Sequence, residues 1–450
     1  MFREGQNINL KNFQKVEKMV EAIIVGAGHR SMCYAQYAHK NPDKFRIVGV
    51  VDPLLDRREG VKREFGLDDS MLFESVEELC AKPRLADAII NGTMDELHVP
   101  TSIPLLEKGY HILLEKPVAI SLPELNALRA AQQKAGTVVM ICHVLRYAPF
   151  YAAIKQRMLD GEIGKLITLS TAEYVSYHHY ATCFVRGKWG NSVACRTSML
   201  MAKCCHDMDL VSWLTSGVKP VRVDSFGGLR WFRKENAPEN SGTHCLLNCP
   251  LVDTCDFSSR RMYLDHPDRW TAYVWPEFDY RKDLNTPESR LAKLMEPNNP
   301  HSCCVWKCNN DQADRQSVVV EFENGCVATH QLIADTCRGD RRVHVVGTEG
   351  EIEGIMSENK FVLRKHDLRP GHDFSEEVID LSNGDSDGHG GGDLRLVADF
   401  VARINGESPS ISSTDLADSI IGNQLVFAAD AAMNGKNRIE DFDRFCEEQA

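Results

Sequence analysis

Lys203, His206 and Asp207 lie within LMAKCCHDMDL, residues 200–210, among Met201, Cys204, Met208, Leu210, Val211 and Leu214. At about 100° per residue the apolar side chains cover one broad arc of a helix, and the three ionisable groups fall inside that arc. An ordinary core helix would pair Lys203 with Asp207 at i,i+4 and give His206 a backbone partner. The same placement serves catalysis if the arc lines a cleft. A neutral imidazole can exchange a proton with a hydroxyl, and an ammonium about 60° around the helix can steady the developing oxyanion.

A second signature starts at Gly26. Gly26, Gly28 and Ser31 in GAGHRS follow the apolar run AIIV and precede a helical pattern, the strand, turn and helix context of a dinucleotide fingerprint. Gly26 permits the tight turn, Gly28 lets backbone approach a pyrophosphate, and His29 and Arg30 open the helix beside it. Ser31 departs from the Gly or Ala usual at the third small position. Asp52 ends the next strand, FRIVGVVD, where a carboxylate accepts from the adenosine ribose hydroxyls and repels a 2′-phosphate. That favours NAD over NADP, although Arg57 and Arg58 soften the preference.

Three further groups carry candidate chemistry. YHHYATCFVRGKWGN places His179, Arg186 and Trp189 among aromatics after a strand, suited to stacking on and hydrogen bonding a carbohydrate. His389, with Gly390 to Gly392 and Asp393, brings backbone close to a substrate or caps a helix. Cys245, Cys249, Cys255 and Cys308, with Cys304 beside them, offer four thiolates for a structural zinc, although the CxxxC and CxxxxxC spacings are looser than paired ligand knuckles. The alternative is a set of reduced core thiols.

These residues need a frame. From residue 20 to about 140, short apolar runs (VEAIIVGAG, FRIVGVVD, ADAIING, YHILLEKP, TVVMICH) alternate with helical segments, which predicts a doubly wound parallel sheet. Beyond 142 the longer alternating strands KLITLSTAEYVSYHH, SVVVEFENGCVATHQLIA and RRVHVVGTEGEIEG predict an α+β domain on a large, mostly antiparallel open sheet. The expected organisation is an N-terminal extension over 1–19, a Rossmann domain over 20–142 and an α+β domain over 143–450. The last is interrupted at about 228–315 by a weakly periodic, Cys-rich insertion. A formal net charge of −12 over 450 residues excludes nucleic acid as the main partner. No stretch approaches the roughly 18 apolar residues of a membrane span. The first residues lack a secretory h-region, so a cytoplasmic location is expected, with the 16 cysteines reduced or metal-bound.

HILLEKPVAI, with Glu115, Lys116 and Pro117 after the fifth strand, resembles the Gfo/Idh/MocA oxidoreductases, the glucose-fructose oxidoreductase and inositol dehydrogenase family. NGTMDELHVP ending near His98, CHVLRYAPF with Arg146, and HDMDLVSWL with His206 are similar to that family's cofactor loop, domain crossing and active-site helix. The likeness spans nearly the whole chain except the insertion. It implies hydride transfer between NAD and a secondary hydroxyl of a sugar, polyol or glycoside in a cleft between the domains, and a homodimer or tetramer. It also implies that Glu115 and Lys116 serve the cofactor and that Lys116 reaches the substrate. The family often carries an Asp four residues before the active-site His, where this chain has Ala202. Lys203 is the nearest substitute, which leaves two assignments: His206 as the acid/base, with Lys116 and Lys203 orienting substrate, or Lys116 as the base. Two other functions fit the same resemblance: glycoside cleavage by transient oxidation, elimination, water addition and re-reduction, and NAD-dependent regulation without catalysis.

Overall fold

A computed structural model of the chain describes residues 18–215, 217–382 and 388–449. Residues 1–17 of the expected extension and 384–387 of the Gly-rich loop lie outside the described residues. The first sheet has six strands: β1 Val20–Val25, β2 Phe45–Val51, β3 Leu72–Phe73, β4 Ala88–Asn91, β5 His111–Leu114 and β6 Val139–Ile141. They are parallel, in the order β3-β2-β1-β4-β5-β6. Both faces are covered, which is why β1, β4 and β5 read as continuous apolar runs. The two-residue β3 is too short for a periodic signal and has no counterpart among the expected strands.

The second sheet has eight strands: β7 Leu166–Ser176, β8 Pro220–Gly228, β9 Arg315–Phe322, β10 Val327–Thr336, β11 Asp340–Gly347, β12 Gly350–Ile355, β13 Lys360–His366 and β14 Phe374–Asp380. Their order is β14-β13-β12-β11-β7-β10-β9-β8, antiparallel except for β7 with β10. On β9 the residues Gln316, Val318, Val320 and Phe322 are buried and alternate with more exposed neighbours, so one face packs on helices and the other stays open. No helix among the described residues is long and apolar enough to cross a membrane.

The expected domain boundary is crossed in space, by Leu416 and Ile420, which join the core under β5 and β6, and by a second segment. The helix Gly388–Ile404, kinked at His389 to Gly391, belongs by sequence to the second domain, yet Leu396, Val397, Phe400 and Val401 join the core against β1 and the helix α1, His29–Lys40. Their i, i+1, i+4, i+5 spacing makes one apolar stripe, and the stripe covers the exposed side of the Rossmann sheet.

Candidate active site

The chain leaves β1 through Gly26, whose φ of 78° suits glycine and whose missing Cβ would stand 2.9 Å from the Gly92 carbonyl carbon. Gly28 then caps α1 without a side-chain bond, and a Cβ there would meet nothing within 4 Å. The first-turn N–H groups of α1 therefore open onto free space lined by Gly28, His29 and Arg30, which fits a phosphate. Ser31, the departure from the fingerprint, is fully buried and donates from Oγ to Gly26 O at 2.6 Å. It fits because the facing residue is Gly92, where a Cβ would lie 2.1 Å from that Oγ. Asp52 also serves the loop: Oδ2 accepts from Ala27 N and Oδ1 from Leu54 N, each at 2.9 Å.

After β5 the chain turns through Glu115 and Lys116 into a cis Lys116–Pro117 bond. Glu115 is buried and accepts from Tyr34 OH at 2.6 Å, from Arg30 Nε at 3.1 Å and from its neighbour Lys116 N at 2.9 Å. Burial alone would raise its pKa, but the Arg30 and Lys116 charges hold it below the usual carboxylate value. Arg30 also grips Asp393 at 2.8 and 3.1 Å, tying the fingerprint helix to the helix Gly388–Ile404. His389, at φ 52°, lies 3.2 Å from the same Asp393 and lines the cavity. His98 sits under the cis turn, one ring nitrogen 2.7 Å from Pro117 O and the other 3.2 Å from Thr93 O.

The ionisable helix is two helices. Met199–Ala202 ends at Lys203 (φ −115°), and a new helix runs Cys205–Leu214. The break has chemical consequences. The Ala202 carbonyl, left without an intrahelical donor, accepts from Lys116 Nζ at 2.9 Å. Thus a backbone oxygen holds the lysine at the position where the family often has a carboxylate. The expected Lys203–Asp207 pair does not form: Lys203 Nζ lies 3.1 Å from Glu173, and Asp207 takes Arg341 at 2.9 Å.

Lys116, Lys203, His206, His179, Trp189 and His389 all line one cavity of about 1580 Å³ between the two sheets, continuous with Gly28 to Arg30. Among the described residues no hydrogen bond engages the His206 ring, and its Nδ1 is buried without a partner. Burial, then the neighbouring Lys116 charge, holds this imidazole well below its ordinary pKa, so it is neutral at pH 7. His179 stacks on Trp270 with centroids 4.1 Å apart. Trp189 donates from Nε1 to Asp95 at 2.9 Å and carries Lys188 Nζ 4.1 Å above its ring. Lys188 and Trp270 escaped the sequence reading; the only signal was their place in an aromatic, basic stretch.

Two other candidates, Arg146 and Arg186, give their donors to the protein itself. Arg146 is 2% exposed and donates to Asp209 at 2.7 and 2.6 Å, to Ser413 O at 2.8 Å and to Asp418 O at 3.3 Å, because the domain crossing needs a donor that satisfies a buried carboxylate. Arg186 borders the cavity, but its donors go to the insertion: to Cys303 O and Phe257 O at 2.7 Å each and to Cys245 Sγ at 3.5 Å. The zinc set also differs from expectation: Cys245, Cys249 and Cys255 gather with Cys304 and Arg186 around a small void, whereas Cys308 donates to Cys304 O at 3.3 Å. No three of these sulfurs lie within 4.8 Å of one another, the only such ligand group among the described residues being Cys204, Asp207 and His330. Arg186 and packed aromatics staple the insertion.

Comparison with known proteins agrees with this architecture. Residues 20–143 match the Gfo/Idh/MocA model described as "Oxidoreductase family, NAD-binding Rossmann fold". Residues 155–440 match its partner, "Oxidoreductase family, C-terminal alpha/beta domain". The Bacillus subtilis (strain 168) protein YteT is 26% identical over 323 residues, 70% of this chain and 72% of its own. The scyllo-inositol 2-dehydrogenase (NAD(+)) of the same organism is 32% identical over 152 residues, 34% of this chain and 44% of its own length. Among solved structures, levoglucosan dehydrogenase in complex with NADH and levoglucosan shares the fold, with a TM-score of 0.66 at 15% identity over 94% of this chain and 99% of that one.

Proposed function

The chain belongs to the Gfo/Idh/MocA oxidoreductase family, and on that premise we propose that it is an NAD-dependent oxidoreductase acting on a secondary hydroxyl of a sugar, polyol or glycoside. The observation that carries this reading is the meeting of Lys116 and His206, from different domains, on one cavity that opens onto the fingerprint loop. Gly26 to Arg30 would hold the pyrophosphate. Asp52 at the end of β2 supports NAD over NADP. NAD, when bound, supplies the acceptor for the hydrogen leaving the carbinol carbon.

The remaining work falls to the chain. Lys116 retains donors beyond the one given to Ala202 O, so it can hold the reacting oxygen and stabilise the charge developing there. His206, neutral and unpartnered, takes the hydroxyl proton in oxidation and returns it in reduction. Lys203 shares Glu173 with Arg341, so its part is to shape the cavity wall and orient substrate. His179 and Trp270 form an aromatic platform suited to a sugar ring. The open sheet face, with Ile167, Val319 and Val327 exposed, supports a homo-oligomer.

The test is NAD binding by titration, followed by absorbance and chromatography with a panel of hexoses, inositols and aryl glycosides. Accumulating NADH supports a dehydrogenase. Aglycone release with no net NADH supports the second reading, glycoside cleavage by transient oxidation, which the insertion's cover over the fingerprint end favours. NAD binding unaccompanied by turnover of any panel member, and unaffected by Lys116→Ala, would leave a regulator.

A further inference from the structure

We infer that the insertion at 228–315 is the third wall of the dinucleotide site and retains bound NAD between turnovers, with Tyr280 as its latch on the Rossmann domain. This rests on the NAD reading above. Nothing in the family match or the fingerprint calls for it; it comes from where the insertion lies.

The insertion is anchored on the substrate domain. Arg186 holds its Phe257 and Cys303 carbonyls, and Tyr180, Phe232, Phe257 and Trp306 form a continuous aromatic packing. From that anchor its segment from Trp270 to Asp279 crosses the cleft and lines the same cavity as Gly28, Arg30 and Arg57. At its far end Tyr280 reaches the other domain and donates from its hydroxyl to Ala27 O at 2.8 Å, inside the fingerprint itself. The ring then lies on the helix α2, Leu55–Phe65, at Gly60, where a Cβ would stand 2.0 Å from Tyr280 Cδ1. A glycine within a helix is destabilising relative to alanine, so its presence there calls for a packing reason, and the tyrosine ring supplies one. Among the described residues this is the one hydrogen bond between residues 228–315 and the Rossmann domain.

A dinucleotide whose pyrophosphate lies on α1 and whose adenosine lies at the end of β2 has the Tyr280 contact over its exit. Release then requires the contact to open and the segment 270–280 to lift. Retention has a chemical consequence. The carbinol gives up two electrons with its carbon-bound hydrogen, and its proton goes to the base. Before the next cycle the hydride must return to that carbon and the proton to its oxygen, or the two must pass to the carbon and oxygen of a second carbonyl compound, which becomes an alcohol. The class of reaction that fits is one with no net NADH, redox-neutral in substrate.

The test uses the full chain. NAD carried through gel filtration is released with acid and quantified, and exchange of bound NAD for labelled NAD is timed in wild type, Tyr280→Phe, Tyr280→Ala and Gly60→Ala. The expected result is close to one NAD per chain in wild type. Exchange should be about tenfold faster or more in Tyr280→Ala and Gly60→Ala, which break the contact from opposite sides, and intermediate in Tyr280→Phe. Thermal melts confirm that the variants fold. Wild-type protein that binds NAD in a titration but sheds it on the column, or exchange unchanged in both contact-breaking variants, overturns the latch and leaves the cofactor reading intact. No NAD binding at any concentration would instead remove the reading beneath it.

Discussion

Arg146 and Lys116 are both basic side chains near the crossing between the domains, and their surroundings are opposite. The Arg146 guanidinium spends its donors on Asp209 and Ser413 O and does not border the large cavity. Among the described residues the Lys116 ammonium has one protein acceptor, Ala202 O, and it opens with His206 onto that cavity. A saturated buried ion pair fixes a junction, and removing one partner leaves a bare charge. An ammonium with unfilled donors at a void is ready to bind. Hydrogen-bond accounting, more than residue type, separates framework from site.

Several substitutions would break or sharpen this contrast. The largest effect is expected from Lys116→Ala, a fall in kcat/KM of about 10³- to 10⁴-fold with a melting temperature close to wild type; an activity loss under tenfold would place Lys116 with the framework. Arg146→Leu should do the reverse, costing about 3–5 kcal/mol in urea unfolding while turnover per folded molecule stays within a few-fold of wild type. His206→Gln should lower kcat about 10²-fold with little change in stability, since among the described residues its ring has no hydrogen-bond partner to lose.

A pH titration of stability probes both regions together. Burial pushes His143, 3.8 Å from Asp209, down to about 4 and also depresses His206. Between that value and the ordinary 6.5 the unfolded chain binds a proton that the folded chain does not, so stability falls as pH drops through this window. Going from pH 6.5 to 5 should cost about 2 kcal/mol from His143 alone, and His143→Asn should flatten the slope. The smallest effect is expected from Arg57→Ala. Its partly exposed guanidinium is 3.4 Å from Asp52, and its loss should move cofactor choice only a few-fold further toward NAD, read as the ratio of kcat/KM values.

The frame was legible because its signals are local. A strand, two glycines and a helix in sequence are enough to place Gly26, Gly28 and α1, and the change from alternating helices to long alternating strands marks the second sheet. Ser31 looked like a defect because its compensation, Gly92, is more than sixty residues away. The Lys203–Asp207 pair failed for a similar reason: the spacing assumed an unbroken helix, and Glu173 on β7 and Arg341 on β11 offered both charges partners in the core. Arg186 and the thiols suggest substrate and zinc ligands by their chemistry alone, whereas the hydrogen bonds from Arg186 to Phe257 O and Cys303 O depend on how the insertion packs. The latch had one faint sign, Gly60 within α2.

By itself the sequence determined the two domains, the dinucleotide loop and the lysine after the fifth strand, since hydrophobic period and turn chemistry act over a few residues. Tertiary structure alone decided which charges meet, which are neutralised and which face the cavity. Those outcomes depend on groups distant in the chain competing for the same few donors and acceptors, and no local pattern records that competition.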